Sequence, residues 1–454
     1  VRGFTLDINP LPYTALRVTG VTTSPPSLRT TLLPDHPMLE SSSAFAAPGI
    51  SELMTTTVGP RVKRGGPLIV SFSAWRRVDS GSDTVYDVDV DAATIHSVGV
   101  GDVLALDPRQ SVGFDVQRCL EVILRDVAVL ACSNECFTSA YSSKLAILGG
   151  GIVLTNGRLL AANNGGHNHH SSRLGVWIDG GTWQNAGDDT CHVSGLVMSA
   201  IAVDGLSVTL HHSSPDVTAA AANGDMDLQV GDTLELYDFS SGTILATTKI
   251  VNVSTPSLDG SVVQLDKPLA HLITLGVIGS PFNASVTQFF NRDRGANQFV
   301  FRNNTVENGR RVGVLAKGVG GLIEDNVFRG LGGGGVELWN CPYEGLCAED
   351  YTIRRNTIHD VCQLDRDAAP VWSMALSSSK SYCHHNLSIT DNHIESGPGT
   401  EVLLTDVEGG LVQGNTVVRC ASDPQGAIAT VNAVDVEALH NTVLNVTSKD
   451  LCAK

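Results

Sequence analysis

Aromatic residues make up only 5% of this 454-residue chain, and capped apolar stripes at helical spacing are scarce. That scarcity argues against a helical bundle. No run of about 18 apolar residues occurs, so no segment has the length and character of a membrane-spanning helix. Basic residues are in deficit: 30 Lys and Arg face 47 Asp and Glu, a formal charge of −17. The basic footprint that nucleic acid requires is missing. An acidic polymer is disfavoured on the same ground, whereas a neutral glycan or polysaccharide is a comfortable partner. The ten cysteines contain no paired CxxC pattern of a zinc site. Cys132 with Cys136, and Cys341 with Cys347, are instead expected to be disulfides of an oxidising compartment. GGGG at 332–335 is followed by no lysine and opens no helix, so it is no phosphate cradle, and no cofactor is expected. A signal peptide is also missing. The chain opens in VRGFTLD, which reads as a strand, and upstream residues are expected to have been removed or left out.

What the chain does contain is glycine, 46 in all, with many Val, Ile, Thr, Asn and Asp. That composition favours short strands joined by tight turns. The second half repeats itself: FRNNTVENG, IEDNVFRGL, IRRNTIHDV, ITDNHIESG, VQGNTVVRC and LHNTVLNV. Each places an asparagine between two short alternating strands: Asn304, Asn326, Asn356, Asn392, Asn415 and Asn441. A period in the twenties predicts stacked coils, a right-handed parallel β-helix, with these amides laddered at the corners. Two longer gaps predict loops leaving the stack at CPYEGLCAEDY and QLDRDAAPVWSMALSSSKSYCHH.

In the first half, VGDVLALD and VGDTLELYD share one pattern, each beside strands with turn signals. They predict two small antiparallel β-barrels inserted between coils. The expected division is all-β throughout: a coil at 1–14, a barrel at 15–107, coils at 108–205, a second barrel at 206–280, and coils at 281–454. Five N-x-Ser/Thr sequons, at Asn252, Asn283, Asn303, Asn386 and Asn445, fit a secreted glycoprotein.

The stretch GDDTCHVSG sets Asp188 beside Asp189 just after GVWIDGGTW. Gly-Asp is ordinary turn chemistry, but paired carboxylates are also what glycoside cleavage uses. The order TLDINPLPY, a V-G-D barrel, GVWIDGGTWQNAGDD, a second V-G-D barrel and coils such as RNNTVENGRRVGVL resembles family 110 of the glycoside hydrolases. The resemblance covers nearly the whole chain and rests on order and pattern. It implies an inverting α-galactosidase on a parallel β-helix with inserted barrels. It also implies that Asp188 and Asp189 lie in the catalytic groove, with Glu344 of PYEGL and Arg311 of GRRVGVL nearby.

The chain departs from that family in two places. Where the family has an aspartate about 24 residues before the pair, this sequence reads NNGGH, with Asn164 or Gly165. After the pair it reads DDTCHVSG, with His192 and Ser194 at the polar positions. An amide cannot donate a proton as a carboxylic acid does, so Glu344 is the candidate replacement acid. His167 matches the family's groove histidine, and HNHHSS is otherwise a solvated coil surface with no metal expected. Trp177, Trp183 and Trp339 are candidates for stacking on a sugar ring or for plain burial. Glu337 lies on the other side of the WNCPYEG loop from Glu344.

Two readings remain. One is a secreted glycosidase acting on terminal sugars, with Asp188, Asp189 and Glu344 catalytic and Asn164, His167, His192, Arg311 and Trp339 contacting substrate. The other is a non-catalytic extracellular structural or glycan-binding protein, either as one chain or as a homo-oligomer or extracellular assembly. A polysaccharide lyase ranks third, because it needs a basic site suited to an acidic substrate.

Overall fold

The computed structural model describes residues 1–8, 11–41, 43–45, 49–55, 61–64, 66–67, 69–78, 83–106, 112–155, 158–212, 226–254, 260–276, 285–340, 344–345, 347–364, 369–375, 383–395, 399–420 and 426–446. Among them no α-helix occurs, and the chain is a parallel β-helix carrying two antiparallel barrels.

Each coil contributes up to three strands. A front ladder stacks His167–His170, Cys191–Ser194, Val314–Ala316, Val336–Asn340 and Val371–Ala375 in parallel register. A side ladder stacks Trp177–Asp179, Val300–Arg302, Leu322–Glu324 and Thr352–Arg354. A back ladder runs from Thr5–Asp7 through Thr305–Glu307 to Thr442–Val446. Alternation along each strand sends every second residue inward. Cys191, Val193, Val314, Ala316, Val336 and Leu338 are accordingly buried in one continuous core.

The six asparagines stand at the corner between the side and back ladders. Asn326 Oδ1 accepts from the backbone N–H of Asn304 at 2.9 Å and from its side-chain amide at 3.2 Å. The same pair of bonds repeats from Asn326 to Asn356, Asn356 to Asn392, Asn392 to Asn415 and Asn415 to Asn441. Each Nδ2 also donates to a carbonyl of the side strand one coil back, as Asn356 does to Ile323 at 2.9 Å. An asparagine fits because its amide offers donor and acceptor at once, so a buried corner keeps no orphan.

Part of the second expected loop is core instead. VWSMA forms the strand Val371–Ala375 on the front ladder, with Val371 and Ser373 buried below Val402 and Leu404. Its apolar-polar alternation is too short to stand out among the serines that follow.

Both barrels close over six strands. In the first, pairing of Gly49–Thr55 with Val103–Leu106 completes the ring. The second runs from Leu196–Asp204 to Gln288–Asn291, wider at both ends than the 206–280 pattern suggested. Only Gly195 separates Leu196 from the front-ladder strand, so no turn signal marks the boundary. The V-G-D turns are the same device twice. Asp102 accepts from Gly99 N–H at 2.7 Å and Asp232 from Gln229 N–H at 3.0 Å. The glycine between takes φ of +97° at Gly101 and +96° at Gly231, a region that suits glycine.

Candidate active site

The turn that leads from the back ladder into the front ladder is repeated coil upon coil. Backbone bonds fix its register: Cys136 N–H to Gly165 O, Gly166 N–H to Asp189 O, Thr190 N–H to Val312 O, and Gly313 N–H to Gly334 O. Asn134, Asn164, Asp188 and Arg311 therefore occupy one row, and Glu135, Gly165, Asp189 and Val312 the next. Adjacent aspartates on a regular strand would point apart. They share this site because they lie in the turn before Cys191–Ser194.

Asp188 is held by two guanidinium groups. Arg311 Nη1 donates to Oδ1 at 2.9 Å, and Arg310 Nη2 lies 3.1 Å from Oδ2. Arg311 Nε also stands 3.5 Å from Asp189 Oδ1. Asp189 is only 6% exposed. Burial pushes its carboxyl above the usual carboxylate range, Arg311 pulls the other way, and the neighbouring Asp188 adds to the rise. The two carboxylates together drive Arg311 further up.

Glu344 reaches the same face from the loop after Val336–Asn340. Its Oε2 lies 3.0 Å from Lys317 Nζ and 3.4 Å from His192 Nε2. Burial works to raise this carboxyl, but Lys317 and His192 outweigh it and hold Glu344 well below its ordinary value. Lys317 is 1% exposed and stands 5.9 Å over the ring of Trp339. The indole Nε1 of Trp339 has no partner among the described residues. A carboxyl held ionised cannot serve as a proton donor, so the replacement-acid role expected of Glu344 is withdrawn. Glu344 anchors Lys317 and His192 at the edge of the site.

The two barrels wall this face. Tyr13, Ala15 and Met54 of the first barrel pack on Leu159 and Leu160, just before the turn row. Its Glu52 lies 3.3 Å from Arg310, and both are nearly buried. At the other end of the strands, Ala140 and Tyr141 join the core of the second barrel. Past Lys317 lies a pocket lined by Leu196, Phe290, Val319, Cys347 and Cys383.

Asp188, Asp189, Arg311, His192, Lys317 and Glu344 thus form one charged network, and Asn164 stands one coil away in the same turn row. His167 does not line the groove. It is fully buried inside the coil, 4.2 Å from the ring of Trp183 and stacked on Phe137 at 5.0 Å. Strand alternation explains this: its neighbour Asn168 takes the outward position. Trp183 is likewise interior, and Trp177 stands on the side ladder with its Nε1 bonded to Gln298 O.

Cys132 is bonded to Cys136, whereas Cys347 is bonded to Cys383 and not to Cys341, which lies outside the described residues. Stacking explains the second bond. It bridges consecutive coils, where Ala348 N–H also meets His384 Nδ1. Cys420 is disulfide-bonded too, while Cys119 and Cys191 are free thiols. Asn252, Asn303, Asn386 and Asn445 are exposed, and Asn283 lies outside the described residues.

Four residues of the site escaped the sequence reading: Glu52, Glu135, Arg310 and Lys317. Glu135 had a signal, since ACSNEC, AANNGGH and NAGDDTC are the same turn in successive coils.

No family model matches this chain, and neither does any curated protein. Solved structures with a similar course include the A-module of the mannuronan C-5 epimerase AlgE6 of Azotobacter vinelandii. That match has 12% identity over 70% of this chain and 58% of that module, with a TM-score of 0.35. This chain therefore spans a little over half the length of the module. The surface adhesin PfbA of Streptococcus pneumoniae is similar at 11% identity over 75% of this chain and 71% of that one, with a TM-score of 0.30. A GH87 α-1,3-glucanase catalytic domain is similar at 7% identity over 97% and 87%, with a TM-score of 0.23. Likenesses at this level carry no argument about activity.

Proposed function

We propose that this protein is an extracellular glycosidase that cleaves terminal sugars from neutral glycans with inversion, of the α-galactosidase type. The observation that carries the reading is Asp189: a carboxyl 6% exposed and pushed up by burial, beside a second carboxylate that two guanidinium groups hold. Such a group keeps its proton to higher pH than an ordinary aspartate, as a general acid must. Arg311 and the ion-paired Lys317 fix the surrounding charges. The α-galactosyl preference rests on the family resemblance of the sequence. Disulfides and exposed sequon asparagines support an extracellular setting.

A second reading, glycan binding without cleavage, is favoured by Asn164, an amide in the row where the related family carries a carboxylate. A panel of aryl α- and β-glycosides separates the two. Hydrolysis of an α-galactoside that falls about 10²–10⁴-fold in Asp189→Asn supports the glycosidase. Binding of glycans with no hydrolysis supports the binder.

A further inference from the structure

Gly165 stands between two carboxylates. It occupies the turn position stacked between Glu135, one coil before it, and Asp189, one coil after it. A Cβ added at Gly165 would meet Asp189 O at 2.9 Å and Glu135 Cγ at 3.7 Å, so any larger residue would crowd the gap. Two strand spacings place the flanking positions roughly 9–10 Å apart.

Glu135 does not stay on its own coil. Its Oε1 accepts from Asn164 Nδ2 at 2.8 Å and from Asn168 Nδ2 at 3.2 Å, and both amides belong to the coil that carries Gly165. These bonds draw the Glu135 carboxyl to the coil that carries Gly165, the coil next to Asp189. The spacing of the two flanking positions stands at the upper end of the roughly 6.5–9.5 Å separation in which an inverting pair leaves room for a water. Asn164 Nδ2 is also 2.9 Å from Asn134 Oδ1, which fixes the amide that aims Glu135. Asn168 Oδ1 beside it is buried with no hydrogen-bond partner among the described residues.

We propose that Glu135 is the catalytic base of this site and that Asn164 is its positioning residue. The carboxylate withdrawn from the Asn164 row is then replaced from the coil below. This rests on the glycosidase reading above. In the step, the oxygen of a water forms a bond to the anomeric carbon while Glu135 takes the water proton. The glycosidic C–O bond breaks, and Asp189 gives its proton to the departing oxygen. The products are a free alcohol and a sugar of inverted anomeric configuration, with no further reactant.

The test uses the full chain and p-nitrophenyl α-galactoside. Glu135→Gln should lower kcat about 10²–10⁴-fold while KM changes little. Glu135→Ala, shown folded by its melting curve, should regain turnover in azide and yield the β-galactosyl azide. Asn164→Ala should lower kcat less than Glu135→Gln does and shift the acid limb of the pH profile, which a merely structural amide would not move. Wild-type turnover that survives Glu135→Gln, or a folded Glu135→Ala that azide does not restore, overturns this assignment alone. A wild-type chain that cleaves no glycoside in the panel overturns it together with the glycosidase reading.

Discussion

Nη2 of Arg310 lies 3.1 Å from Oδ2 of Asp188, and the same guanidinium lies 3.3 Å from Glu52 of the first barrel. One buried group, 3% exposed, therefore ties an inserted barrel to the candidate catalytic turn. Its Nε also donates to Gly187 O, so three acceptors converge on a single side chain. A lysine in that place is a point charge without the planar fork. Arg310→Lys should cost about 1.5–3 kcal/mol in urea unfolding, the scale of a lost charged hydrogen bond. An unchanged midpoint and slope would show that the bridge holds nothing.

The proton on Asp189 sets a pH limit. An acid whose value is raised works below that value and fails as pH climbs through it. Asp188 is one cause of the rise, so Asp188→Asn should lower the value and move the alkaline limb of kcat to lower pH. Measurement on an aryl glycoside across pH 4–9 decides it. A limb that stays put, or moves up, rules out Asp189 as the acid.

Glu344 gives the opposite sign. Its folded value is depressed by Lys317 and His192, so its contribution to stability is present above the unfolded carboxylate value and is lost as pH falls through the folded one. Glu344→Gln leaves Lys317, 1% exposed, without its carboxylate. The expected loss at pH 7 is about 3–5 kcal/mol, shrinking as the pH drops below the ordinary carboxylate range. Equal losses at pH 7 and pH 3 in denaturant titrations would contradict this.

The asparagine corner can be tested at its middle rung. Asn356 accepts twice from Asn326 and donates to Ile323 and Asn392. Asn356→Ala strands buried groups on both sides, at about 1–3 kcal/mol for each that water cannot reach. A smaller loss is expected for Asn441→Ala, because Asn441 is less buried and ends the ladder. Thermal melts of the two variants side by side give the comparison.

The coils and the V-G-D turns were legible because they are local patterns: a corner asparagine between alternating strands, or an aspartate closing a turn across three residues. The site was legible only in part. Asp188 and Asp189 adjoin in sequence and were seen, but their partners arrive by stacking. Arg311 lies 123 residues on, and Glu52 joins Arg310 from an inserted barrel. His167 was misplaced because sequence shows that a strand alternates without showing which set turns inward. Glu135 was missed because its turn partners in the next two coils, Gly165 and Asp189, are different residue types, so the repeat shows only once the coils are stacked.

Sequence separations of 22, 30, 36, 23 and 26 residues between successive corner amides all end in backbone-to-amide bonds of 2.9–3.0 Å. The fold thus counts turns of the helix and is indifferent to the length of chain spent in each. Extra residues can be spooled out at the edges facing the barrels while the opposite corner keeps its beat. A protein built this way can lengthen or replace the rim of its groove segment by segment without renegotiating its core. The rim is therefore where sequences sharing this scaffold should diverge most in length, and the amide corner where they should diverge least.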